Sequence, residues 1–200
     1  MRARVAVVYH SGSGRTERQA RAVAAGALEV DDTQVDLLSL HELTDELWRA
    51  LDAADAIIMG SPTYMSGTSA SFRHFAEATS SICADGLRWR DKIAGGFTNS
   101  ACMSGDKLQS LVEIALFAAQ HGMVWVGMAA SGGWNTSTAT NEDLNRLGSW
   151  LGAMSQSNDD QSAEVVPPRA DLRTAAALGR RIAEVTHVHV AGRAALAKAP

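Results

Sequence analysis

Cysteine is scarce in this chain of 200 residues, and the two present, Cys83 and Cys102, have no metal-ligand spacing. The opening MRARVAVVYH has no apolar segment long enough for a secretory signal. A disulfide framework is therefore not expected, and a cytoplasmic, reducing setting is. No stretch approaches the roughly 18 apolar residues that cross a bilayer, so no membrane span is expected. Charge is not concentrated in one sign. With 18 basic and 22 acidic residues the net charge is −4, and no basic stripe marks nucleic acid as a partner. The histidines lack paired spacing, so no metal site is expected. Ser11 and Ser61 lie near loops, but neither stands in Gly-x-Ser-x-Gly, which speaks against a hydrolase. What the chain does have is 46% hydrophobic composition, enough for one core and one domain.

Strand-like and helix-like segments alternate. RVAVVY (4–9) is short, apolar and β-branched, as a strand buried on both faces should be. The next segment (15–29) places Ala20, Val23, Ala24, Ala27 and Leu28 on one helical side. Strands are expected at 34–40, 55–60, 91–100 and 123–128, and helices at 42–54, 69–81, 106–122 and 170–188. Five strands separated by helices predict an α/β three-layer sandwich: a parallel sheet with helices on both faces. Ligands of such sheets bind beyond the carboxyl ends of the strands. The turns there, 10–16, 60–68, 98–105 and 127–140, are rich in Gly, Ser, Thr and Asn and nearly free of charge, whereas the return turns are charged. One end of the sheet is thus the expected ligand platform.

The first of these turns holds Ser11, Gly12, Ser13, Gly14, Arg15 and Thr16 between a strand and a helix. Amide groups at a helix start lack intrahelical partners, and the helix dipole favours an anion there. Three hydroxyls and two glycines exceed what one helix cap requires, so a phosphate cradle is predicted. No Gly-Lys-Ser/Thr follows, which excludes a P-loop. Glu17 stands where a dinucleotide fingerprint needs its third glycine. With Arg15 as its only charge, the turn suits a single phosphate monoester.

The turn SGSGRT resembles the first loop of flavodoxin-like flavoproteins. GSPTYMSGTSASFRHFAEAT (60–79), LRWRDKIAGGFTNS (87–100) and LFAAQHGMVWVG (116–127) are similar to segments of the WrbA-like NAD(P)H:quinone oxidoreductases and NADPH-dependent FMN reductases. The likeness covers about residues 4 to 127 in order, plus the last helix. It implies a flavodoxin-like fold with strand order 2-1-3-4-5 over residues 1–188. An insertion after the fifth strand (about 128–165) and a tail at 189–200 complete the expected organisation.

The resemblance also implies bound FMN and NAD(P)H as co-substrate. Ser11, Gly12, Ser13, Gly14, Arg15 and Thr16 would hold the phosphate. Pro62, Thr63, Tyr64 and Met65 would line the isoalloxazine ring. Thr98, Asn99 and Ser100 would contact the pyrimidine edge and ribityl chain. His121 would lie near the flavin face as a catalytic residue, although a histidine in a helix's last turn also complements the dipole. Two electrons would pass to a quinone-like acceptor, and a homodimer or homotetramer is expected.

The chain departs from the family pattern in three places. TNSACMSGDK (98–107) keeps one glycine, Gly105. Tyr64 and Gln120 stand where relatives carry arginine and histidine. Gly132, Gly133 and Trp134 are read either as a pocket wall or, for Trp134, as surface packing. A flavodoxin-type electron carrier, a flavin reductase with another acceptor and a module without flavin remain as alternatives.

Overall fold

The structure, a computed structural model, describes residues 2–198. Strands β1 (Ala3–Tyr9), β2 (Thr33–Ser39), β3 (Ala56–Tyr64) and β5 (Ile93–Ser100) run parallel in the order β2-β1-β3-β5. A two-residue strand, β4 (Gly67–Thr68), folds back on the end of β3 as an antiparallel hairpin. The outer position beyond β5 is split. β6 (Val124–Trp125) pairs with Ile93 and Ala94, and β7 (Ala153–Gln156) pairs with Phe97 to Ser100. The fifth strand expected at 123–128 is therefore only half a strand. Its upper half comes from inside the insertion, and the five sheet positions keep the expected order 2-1-3-4-5.

Helices α1 (Arg15–Leu28) and α6 (Arg169–Leu196) cover one face, where Val23, Ala27, Leu178 and Ile182 pack on Val5, Val7, Ile58 and Phe97. Helices α2 (Asp45–Ala53), α3 (Ala70–Ala78), α4 (Ser80–Ala84) and α5 (Lys107–Gln120) cover the other. There Leu51, Phe75, Ile82, Ile114 and Phe117 pack on Ala6, Val8, Ile57 and Met59. The central strands β3 and β5 are buried on both faces almost throughout, which explains their continuous apolar lettering.

Gly26 of α1 and Gly179 of α6 face each other's helix so closely that a Cβ on either would fall on a backbone carbonyl, of Ala176 and of Val23 respectively. Only glycine permits that approach. It brings α6 flat against α1 and anchors the end of the chain beside the first loop's helix. α6 does not stop near 188 but runs unbroken to Leu196, through most of the segment expected as a tail. Ala199 and Pro200 lie outside the described residues. Among the described residues no helix is long and apolar enough to cross a membrane. No group of three His, Cys, Asp or Glu there could hold a metal.

Candidate functional site

β1 ends at Tyr9, and the chain turns through Ser11–Gly14 into α1. Gly14 takes the N-cap position with φ +81°, a left-handed conformation that favours glycine. No side chain caps this helix, so its first amides point out of the turn without an intrahelical acceptor. Ser11 lies behind them with a buried hydroxyl that has no hydrogen-bond partner. Buried polar groups ordinarily find partners. A hydroxyl left open beside an uncapped helix start fits a phosphate monoester.

Arg15 is placed differently from the expectation. Its Nη1 donates to Asp159 Oδ1 at 3.1 Å, and its Nη2 donates to the carbonyls of Asp159 (2.8 Å) and Gln161 (2.9 Å). Of its side-chain nitrogens, only the buried Nε lacks a partner. The side chain expected to meet phosphate is chiefly engaged by the insertion.

The second loop is the β3–β4 hairpin. Met65 (φ +47°) and Ser66 (φ +63°) form its tip, a conformation that costs a non-glycine residue on the order of 1 kcal/mol or more. The hairpin is anchored to α5. Glu113 Oε2 accepts from the Thr68 N–H (3.0 Å) and the Thr68 hydroxyl (2.6 Å), while Oε1 pairs with Arg73 at 2.8 Å. Burial alone would raise the Glu113 pKa, but these bonds outweigh it and hold the carboxyl below its ordinary value. Ser66 donates to Asp106 Oδ2 at 2.8 Å. So fastened, the tip presents Tyr64 half exposed and Met65 fully exposed, an apolar wall for a planar ligand.

The third loop follows β5. Thr98 is fully buried, and its Oγ1 shares a 2.8 Å bond with Thr63 Oγ1, which shares another with Ser110 Oγ. Asn99 Oδ1 accepts from the hydroxyls of Ser155 (3.0 Å) and Ser157 (2.8 Å). Ser100 Oγ accepts from Lys107 Nζ at 2.9 Å, and the same ammonium donates to the carbonyls of Cys102 (2.8 Å) and Met103 (2.7 Å). Burial lowers the Lys107 pKa to about 8. The loop that lacks its family's glycines is thus clamped by a buried lysine.

The three loops enclose a cleft of about 520 Å³. Ser13, Arg15, Thr16, Pro62, Thr63, Tyr64, Met65, Asn99 and Ser100 line it, together with Ala101 and Asp159. Of the other expected residues, Ser11, Gly12 and Gly14 shape the first loop from behind this lining. Thr98 is turned away into its hydroxyl triad. Gly132 and Gly133 line a separate depression with Asn135 and Asp143, and half-exposed Trp134 lines neither. Asp159 was missed because it stands in a polar stretch with no periodicity, and only the split outer strand carries it back to the first loop.

His121 stands apart from the other expected residues. It caps the end of α5, before β6, and so lies at the opposite end of the sheet from the cleft of its own chain. It is 1% exposed, with ring centroids 4.9 Å from Trp89 and 4.6 Å from Phe117. Its Nε2 lies 2.9 Å from Thr79 Oγ1, and burial lowers its pKa. The aromatic cluster under α3–α5 holds it there, at a depression that it lines with Thr79, Cys83 and Phe117.

Known proteins match this geometry. The model of the family described as NADPH-dependent FMN reductase matches residues 3–161. Flavodoxin FldP of Pseudomonas aeruginosa is 40% identical over 179 residues, covering 90% of this chain and 94% of the relative. An NAD(P)H dehydrogenase (quinone) of Archaeoglobus fulgidus is 30% identical over 204 residues, covering 92% and 97%. A solved flavodoxin, a WrbA-like protein of Agrobacterium tumefaciens, superposes with a TM-score of 0.74 at 38% identity, covering 94% of this chain and 99% of that one.

Proposed function

This chain belongs to the NADPH-dependent FMN reductase family of oxidoreductases, and on that footing we propose that it binds FMN in the three-loop cleft and passes electrons from NAD(P)H to a quinone-like acceptor. The observation that carries the reading is the phosphate seat. It combines an uncapped α1 start, Gly14 at φ +81° and the open hydroxyl of Ser11. Bound FMN would supply hydride acceptance and two-electron donation. The protein's part is position and polarity. The amides of 12–16 and Ser11 would hold the phosphate. Tyr64 and Met65 would flank the ring. The backbone of 99–101 would offer donors to its polar edge, where negative charge develops on reduction. Nicotinamide and acceptor would use the open mouth beside the hairpin in turn, which gives ping-pong kinetics.

A homodimer or homotetramer belongs to the same reading, because the fully exposed Met65 at the hairpin tip is an apolar contact suited to a second copy. Both thiols are free, in keeping with a cytoplasmic setting. The test is spectroscopic first, then kinetic. Protein loaded with FMN should show flavin absorbance after gel filtration and should oxidise NADH or NADPH in the presence of benzoquinone. Failure to retain flavin sinks the proposal. Retention without turnover favours a second reading, an electron carrier, which the 40% identity to a protein named flavodoxin also supports.

A further inference from the structure

Beyond β7 the chain forms a strap over residues 158–163 that joins the third loop to the first. At its start the Ser157 N–H donates to the Ser100 carbonyl (3.0 Å) and the Ser157 hydroxyl to Asn99 (2.8 Å). At its far side Arg15 grips Asp159 and Gln161 through three bonds, and Arg18 Nη1 donates to the Ala163 carbonyl at 3.0 Å. The strap meets the phosphate loop directly: a Cβ on Gly14 would stand 3.0 Å from Ala163 Cβ. The Arg15 side chain is 16% exposed in this grip, whereas the Asp159 side chain is 80% exposed and lines the cleft.

These placements have an electrostatic consequence. Paired with Asp159, the only cation of the loop is already neutralised. Recognition of an anion then falls to amides and hydroxyls, which suit one phosphate group seated at the helix start. A second phosphate linked to the first would extend toward the strap. It would find there a guanidinium already held by the Asp159 carboxylate and two carbonyls, and no free cation in the loop to receive it.

Resting on the flavin reading above, we infer that the Arg15-fastened strap, through Asp159, is a specificity element that admits a flavin ending in a phosphate monoester and refuses one carrying a diphosphate. Arg15 is then a positioning residue more than a phosphate ligand.

The experiment titrates flavin-free full-length protein with FMN, FAD and riboflavin, followed by quenching of flavin fluorescence. Wild type is compared with Asp159→Asn, Asp159→Ala and Arg15→Lys. Subtilisin nicking within 158–163 is mapped by mass spectrometry on the same samples. Wild type should favour FMN over FAD by at least a hundredfold. Each Asp159 variant should narrow that ratio at least tenfold, with FAD gaining. Arg15→Lys keeps the charge but loses the fork to two carbonyls, so it should narrow the ratio and speed nicking of the strap. An unchanged FMN-to-FAD ratio in all three variants, or equal losses for both flavins, overturns the strap's role alone. Wild-type protein that binds no flavin overturns this inference together with the proposed function.

Discussion

The phenolic oxygen of Tyr64 lies directly over Gly12, so that a Cβ added to Gly12 would collide with it while the rest of the ring stays at 3.4 Å or beyond. The second loop thereby rests on the first, and the glycine makes room for this contact and does not serve its own backbone, whose φ is not positive.

A rescue experiment follows from that contact. Gly12→Ala should push Tyr64 off the loop and weaken FMN binding about tenfold, or about 1.4 kcal/mol. Tyr64→Phe in the same chain removes the clashing oxygen and should restore most of the loss. Equilibrium flavin titration of the two single variants and the double variant reads this directly. Additive losses would show that the contact is not the cause.

The hairpin's anchor is pH-dependent. The Glu113 carboxyl is held below its ordinary value of 4.5, so its stabilising contribution is complete above that pH. It is lost as pH falls below 4.5 through the lower folded-state value, because the unfolded chain takes up the proton first. Glu113→Gln should lower stability at pH 7 by about 1–3 kcal/mol, since Thr68 and Arg73 lose a charged acceptor. Denaturant curves at pH 7 and pH 3.5 should show the gap between wild type and variant closing at the lower pH.

Lys107 runs in the opposite pH range. Its folded-state pKa of about 8 lies below the ordinary 10.5, so the unfolded chain binds more protons between these values. The lysine's contribution to stability should therefore rise as pH increases from 8 toward 10.5. Lys107→Met should abolish that component of the slope. The variant also strands the Met103 carbonyl and leaves the Ser100 hydroxyl and the Cys102 carbonyl with only their bond to each other, at a cost of about 1–3 kcal/mol. Urea titrations of wild type and variant at pH 7.5, 9 and 10 test both statements.

Asp171 of α6 secures β7. Its carboxylate takes a fork from Arg146 (2.7 and 2.9 Å) and the N–H of Gln156 (2.9 Å), with both charged side chains nearly inaccessible. Asp171→Ala leaves Arg146 buried and unpaired, and a loss of about 3–5 kcal/mol is expected. Because Gln156 directly precedes the strap's anchor, nicking at 158–163 should accelerate while hydrogen exchange in β1 and β3 stays slow. Equal loosening throughout the sheet would contradict the local role.

The layer order, the five sheet positions and two of the loops that line the cleft were legible because they are written locally. Short apolar runs such as AIIM (56–59), closed by a glycine, suit a buried strand, and the alternation with helices leaves little choice of topology. SGSGRT marks a helix start whatever it later packs against. What the letters could not carry were pairings between distant segments. The outer strand is divided between 124–125 and 153–156 because β5 offers two free lengths of edge, and either part alone is too short to register as a strand. Thr98 stands in a ligand-type loop, but its hydroxyl shares a bond with Thr63, 35 residues away, and Thr63 in turn reaches Ser110, 47 residues from it. His121 is placed by its packing on Trp89 and Phe117, away from its own chain's cleft, which its position in a helix's last turn does not reveal. Arg15 is the clearest case. Its place in the first loop was fixed by its neighbours in sequence, but its partner, 144 residues on, was fixed by the fold. A guanidinium binds whichever acceptors surround it, and those acceptors are set by tertiary structure.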